Sequence, residues 1–90
     1  MPLNTKQKQQ LKAKAHQLKP IVMIGNHGFS AAVQKEMLRA LHDHELIKIR
    51  IAEKDRDARR ALLAEICTAC EAELVQTIGS IGVIYRKKTE

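Results

Sequence analysis

Ile21-Val22-Met23-Ile24-Gly25-Asn26-His27-Gly28-Phe29-Ser30 decides the fold of this chain. The apolar run is short and mostly β-branched, so it reads as a buried, central strand. Two glycines bracket a tight connection, and Ser30 is placed to cap a helix from about Ala31 to His44. Val33, Met37, Ala40 and Leu41 give that helix an apolar face, with Lys35 and Arg39 off it. From Leu46 to Ile51 the pattern alternates: Ile47, Ile49 and Ile51 point one way, Leu46, Lys48 and Arg50 the other. Strand, helix, strand implies a parallel pair joined by a right-handed crossover.

Upstream, Asn4 and Gln7 have the spacing of a variant capping box. Leu11, Ala15 and Leu18 follow at helical intervals, and this first helix ends before Pro20. Downstream, Asp55 or Asp57 starts a third helix that runs to about Glu71. Its expected buried stripe is Ala58, Leu62, Ile66, Ala69 and Cys70, widened by Leu63 and Cys67. Leu74–Ile78 and Val83–Arg86 are two further strands, with Gly79-Ser80-Ile81-Gly82 as the hairpin turn. The order is α-β-α-β-α-β-β in a single domain spanning residues 1–90: an α/β fold with a mixed four-stranded sheet and packed helices. The pattern leaves open which face of the sheet the first helix covers.

With 90 residues the chain can form one core, and with only Phe29 and Tyr85 as aromatics that core is aliphatic. Lys and Arg number 16 against 10 Asp and Glu, a net charge of +6. Residues 1–35 hold Lys6, Lys8, Lys12, Lys14, Lys19 and Lys35 with no acid, whereas the remainder is neutral. So one-sided a basic field favours a polyanionic partner, nucleic acid foremost; the competing reading is a solubilising lysine face. No apolar run of about 18 residues is present to span a membrane. The first residues lack the apolar core of a secretory signal, and two cysteines with nothing else to pair fit a reducing cytoplasm.

Gly25-Asn26-His27-Gly28 is the first candidate site. A glycine-bracketed turn at a helix start leaves backbone N–H groups free and lets a phosphate approach closely. Its alternative is a turn whose glycines only supply positive φ. Lys48 and Arg50 share one strand face, and Arg86 ends another strand of the same sheet. Together they could form a phosphate-binding stripe beside the loop, or merely a solvated face. Lys6, Lys8, Lys12 and Lys14 resemble an electrostatic clamp on the first helix. Cys67 and Cys70 form a C-x-x-C in mid-helix without a second ligand pair, so they read as small buried residues rather than a zinc or redox site. His42 and His44 point to different sides of a helix end, and no metal site is expected there. No nucleophile with a base and an orienting acid emerges, and no cofactor is called for.

Three segments carry a family resemblance: Ile24-Gly25-Asn26-His27-Gly28-Phe29-Ser30, His44-Glu45-Leu46-Ile47-Lys48-Ile49-Arg50 and Ile81-Gly82-Val83-Ile84-Tyr85-Arg86. In this order they resemble the CRM domain (chloroplast RNA splicing and ribosome maturation), in its single-domain bacterial, YhbY-like form, over nearly the whole chain. The resemblance implies an RNA-binding module with a fold similar to the C-terminal domain of translation initiation factor three, acting on precursor large ribosomal subunits. It likens the G-x-x-G loop to the backbone clamp of KH domains, here Gly25, Asn26, His27 and Gly28, and it extends the basic surface to Lys48 and Arg50. Family members often carry Lys or Arg between the two glycines, whereas Asn26 and His27 stand here. Phosphate contact then falls to backbone N–H groups and the Asn26 amide, with charge from neighbours.

The expectation is a monomeric, cytoplasmic, non-enzymatic protein without cofactor or metal that binds ribosomal RNA of the large subunit during assembly. Its contacts would be Gly25, Asn26, His27, Gly28, Lys48, Arg50, Lys12, Lys35, Arg39 and Arg86. With two aromatics, recognition should favour RNA shape and backbone over sequence. The alternative is a protein-interaction module that docks on a ribosomal protein, its charge serving only solubility.

Overall fold

The computed structural model describes residues 3–25 and 28–88. Seven elements follow in the order expected: α1 (Thr5–Ala15), β1 (Pro20–Ile24), α2 (Ala31–His44), β2 (Leu46–Ile51), α3 (Arg56–Cys70), β3 (Glu73–Ile78) and β4 (Ile81–Tyr85). Each helix begins where the sequence places a cap. Asn4 and Gln7 close a reciprocal box, the Asn4 side chain accepting from the Gln7 N–H at 2.8 Å and the Gln7 side chain from the Asn4 N–H at 3.0 Å. Ser30 Oγ accepts from the Val33 N–H, and of the two candidates for α3 it is Asp55 that accepts from the Ala58 N–H.

One sheet of order β1-β2-β4-β3 results, with β1 parallel to β2 and the other pairs antiparallel. The main core lies on the face covered by α2 and α3. Val22, Ile24, Ile47, Ile49, Ile51 and Ile84 from the strands meet Met37 and Leu41 of α2 and Leu63, Ile66 and Cys70 of α3. α1 lies on the other face, the point that periodicity leaves open. It buries Ala15 against Leu46, Val75 and Val83, with Leu3, Leu11 and Tyr85 packed around them. The N–H of Leu3 donates to Glu73 Oε2 at 2.8 Å, fixing the approach to α1 at β3.

Three expectations need correction. β1 is an edge strand, not a central one: Val22 and Ile24 are buried, but Ile21 and Met23 are exposed on the face that α1 covers only in part. A uniform apolar run cannot reveal that its second face is left uncovered. The hairpin turn is two residues long, Gly79-Ser80, so Ile81 and Gly82 belong to β4. Gly79 takes φ 55° at the first turn position, where a two-residue II′ hairpin places glycine. The buried stripe of α3 runs through Leu63, Ile66 and Cys70, leaving Ala69 exposed. The stripe turns this way because Leu63 packs over Gly82, which has no side chain to compete for the space.

The passage from α2 to β2 takes a single residue. Glu45 adopts φ 63° and ψ −50°, outside the regions L-residues favour. Its backbone carbonyl accepts from the Arg86 N–H at 2.9 Å and its carboxylate from the Lys88 N–H at 2.7 Å. One residue thus reverses the chain and fastens the segment that follows β4.

Candidate nucleic-acid interface

The glycine loop leaves β1 at the end of the sheet where β2 also ends, the Ala52 N–H donating to the Ile24 carbonyl at 2.9 Å. Asn26 and His27, two of the expected contacts, lie outside the described residues. Gly28 closes the turn, its N–H donating to the Gly25 carbonyl at 3.0 Å, and it takes φ 71°, so its glycine answers a backbone need. Gly25 is different. It is exposed and needs no positive φ, and a Cβ built on it would meet none of the described residues within 4 Å. Among the described residues nothing requires glycine at 25. Open space at a residue without a side chain, in the loop that leads from β1 to α2, is a geometry in which an anion can approach the backbone. On its α3 side the loop is bordered by Glu53 and Glu65 among small residues, so cationic support comes from elsewhere.

That support is on the open face of the sheet. The register aligns Met23 with Arg50, Arg50 with Ile81, and Ile81 with Ile78, one residue from each strand in a single row next to the loop. Residues directly opposite in neighbouring strands share a face. Lys48 stands in the next row, opposite Pro20 and Val83, and Leu46 and Tyr85 form the last, opposite Glu73. α1 sits over the last two rows and leaves the first uncovered.

A groove between α1 and the far end of the sheet is lined by Gln7, Gln10 and Lys14 with Glu71, Arg86 and Lys87. Those helical positions occupy one flank of α1. Lys8 and Lys12, half-buried, fall on the opposite flank, which turns them toward the uncovered row.

The expected contacts therefore divide. Arg50, Lys48 and Lys12 flank one open surface, beside Gly25 and Gly28. Lys35 and Arg39 lie one turn apart on the exposed side of α2, the helix that follows the loop, on the opposite side of the sheet. Arg86 follows β4 at the far end, where its guanidinium lies 3.8 Å from Glu71. A second cluster, Arg56, Arg59 and Arg60, surrounds the Gly79-Ser80 turn at the loop end of the sheet. Arg59 is partly committed, donating to the Glu53 and Lys54 carbonyls at 3.2 and 3.0 Å. The basic opening of α3 is visible in the sequence, but its proximity to a turn about twenty residues later is not.

Neither aromatic ring serves the open face. Phe29 packs against the α2–α3 core and Tyr85 lies under α1. Cys70 is buried and Cys67 partly so, and both are free thiols. Burial foremost, then the neighbouring Cys70 and Glu73, pushes the Cys67 thiol up to about 11, so neither a thiolate nucleophile nor a metal ligand is prepared there. Among the described residues no three His, Cys, Asp or Glu side chains converge as metal ligands, and no helix is long and apolar enough to cross a membrane.

A family model for the CRS1/YhbY (CRM) domain matches residues 3–86. The chain belongs to the CRM family. It is 46% identical over 87 residues to the "Probable RNA-binding protein PA4753" of Pseudomonas aeruginosa, covering 97% of this chain and 84% of that protein. It is also 46% identical over 88 residues to a protein of Haemophilus influenzae named RNA-binding protein, covering 98% and 89%. The solution structure of SAV1595 from Staphylococcus aureus superposes with a TM-score of 0.87 at 37% identity, over 99% of this chain and 93% of that one. The α/β architecture, with three helices on a mixed four-stranded sheet, is thus that of a CRM domain.

Proposed function

We propose that this CRM domain binds RNA through the loop end of its sheet. Gly25 and Gly28 admit a phosphate to the start of α2, while Arg50, Lys48, Lys8 and Lys12 supply the salt-dependent attraction. The observation that carries this reading is the juxtaposition of an exposed glycine that none of the described residues requires with a sheet face that bears cations and that no described element covers at its loop end. Membership of a family whose members are named RNA-binding proteins supports it further. Within that reading the whole chain acts as one RNA-binding unit, in the cytoplasm, as a monomer and without catalysis. Its target is ribosomal RNA of precursor large subunits, which it assists in assembly.

Sedimentation of a cell extract through sucrose gradients at low and high salt tests this. The protein should travel with large-subunit or precursor fractions at low salt and be stripped from them at high salt. A protein that stays at the top of both gradients has no ribosomal target. One that stays with subunits at high salt is held by protein contacts instead.

A further inference from the structure

The row formed by Met23, Arg50, Ile81 and Ile78 has a property that phosphate contact does not use. Three of its four side chains are aliphatic. Met23 and Ile78 are the most exposed large apolar residues among those described, at 62% and 50%. Ile21, two residues before Met23 on β1, is 48% exposed. Among the described residues, no element lies over this row.

On this face of the sheet the charges beside it are of one sign. Arg50 stands within the row, Lys48 in the row behind it, and Lys8 and Lys12 on the near flank of α1. Among the described strand residues of this face the one carboxylate is Glu73, at the covered end, where it accepts the Leu3 N–H. An apolar strip flanked by cations is complementary to a ligand with apolar surface and negative charge in alternation.

The two forms of RNA meet this strip differently. A duplex presents phosphates and ribose hydroxyls outward, with its bases stacked inside. Pressing those groups against methyl groups removes their water and returns no hydrogen bond. An unpaired nucleotide presents the flat face of its base, which is apolar, and its phosphate remains free to reach a cation. Four strands at their usual spacing make the row about 14 Å wide, room for about two bases.

We infer that the uncovered row is a seat for unpaired bases, so that this face takes a single-stranded RNA segment in preference to a duplex. This rests on the RNA-binding reading above and narrows its substrate. The bases lie on Met23, Ile78 and Ile81 and on the plane of the Arg50 guanidinium, and their phosphates reach Lys48, Lys8 and Lys12. Because aliphatic side chains carry no donor or acceptor, the seat tolerates any base.

The test compares wild type with Met23→Thr/Ile78→Thr, which places β-branched threonine at both strand positions and changes only exposed side chains. Met23→Thr alone serves as a milder second variant, and thermal unfolding verifies that both fold. Affinities are measured by fluorescence anisotropy at fixed salt. The probes are an unstructured single-stranded RNA of about 12 nucleotides and the duplex formed with its complement. The double variant should bind the single strand on the order of tenfold more weakly, leaving its duplex affinity and the salt dependence of binding unchanged.

Wild type with no preference for the single strand, or a double variant with an unchanged ratio of the two affinities, overturns the inference while leaving RNA binding intact. Wild type that binds neither RNA overturns the RNA-binding reading and the seat with it. A wild-type dimer that becomes a monomer in the double variant, with RNA binding untouched, assigns the row to contact between copies and likewise overturns it.

Discussion

Gly82 lies so close beneath Leu63 that a Cβ on it would stand 2.7 Å from the Leu63 Cδ2. Ile49 Cγ1 would be 3.4 Å away on the same side. Both neighbours are buried, so the methyl would be forced into the main core between β4 and α3. Gly82→Ala should therefore destabilise the domain by roughly 1–3 kcal/mol, the usual cost of overpacking. Urea unfolding measures this. In a Leu63→Val background the same change should cost less, because the shorter side chain yields the space. Equal losses in both backgrounds would mean that the close approach is not the cause.

The two loop glycines should separate stability from binding. Gly28→Asp places a side chain at φ 71°, so it should cost roughly 1 kcal/mol and confound any binding result. Gly25→Asp meets open space and needs no left-handed backbone. It should leave the melting temperature unchanged while placing a carboxylate where the proposed phosphate approaches. We expect RNA affinity to fall on the order of tenfold, within the range for a charged contact reversed at a partly exposed site. Full affinity in Gly25→Asp would remove the loop from the interface.

How far the sequence reveals such a surface depends on what each pattern encodes. Asn4 and Ser30 mark helix starts through local hydrogen bonds, so both are legible without a fold, whereas for α3 the sequence offers Asp55 and Asp57 alike and the structure selects Asp55. The alternation of Leu46 to Ile51 places Lys48 and Arg50 together on one face for the same reason. Met23 is not legible as an exposed residue. It sits in an unbroken apolar run, and its exposure depends on where α1 stops on the far face, a tertiary fact. Ile81 and Gly82 read as part of the turn because Gly79 and Gly82 bracket it symmetrically. Yet Gly82 is a glycine for close packing, and only Gly79 for conformation. The separation of Arg86 from Arg50 follows from the antiparallel β2–β4 register, which no single segment contains.

That separation predicts unequal roles for the cations. Lys48→Ala/Arg50→Ala should weaken RNA binding and lower the slope of log affinity against log salt by about 0.7–0.9 for each phosphate no longer neutralised. Arg86→Ala, at the far end and beside Glu71, should change neither affinity nor slope measurably. Titrations across a salt series with both variants decide this. If Arg86→Ala lowers the slope as much as the double variant, the binding surface extends over the covered end of the sheet.

The raised Cys67 thiol predicts a pH dependence of stability at the alkaline end. Its value in the fold is about 11 against an ordinary 9.0, mainly because the thiol is buried. Below pH 9 both folded and unfolded chains keep the proton and no dependence arises from this group. Between about 9 and about 11 the unfolded chain releases a proton that the folded chain retains, so stability falls as pH rises. Urea midpoints in reducing buffer across that window should drop more steeply for wild type than for Cys67→Ala. Parallel curves would place the alkaline loss on other groups.

The Leu3–Glu73 hydrogen bond makes the docking of α1 testable without touching its core contacts. The Leu3 N–H donates to the carboxylate at 2.8 Å in a half-buried setting, joining the approach to α1 to a strand seventy residues later. A bond to a charged acceptor contributes about 1.5–3 kcal/mol. Its loss should act locally, because α1 buries little beyond Leu11 and Ala15. Glu73→Ala should therefore raise amide exchange throughout Thr5–Ala15 while the β2 and β4 amides stay protected. Glu73→Gln retains an acceptor oxygen and should show a smaller rise. Since Lys8 and Lys12 stand on the flank of α1 nearer the open row only while α1 is docked, Glu73→Ala should also weaken RNA binding, although Glu73 itself repels a phosphate. Stronger binding in Glu73→Ala would mean that α1 lies over part of the binding surface and that its release exposes more of it.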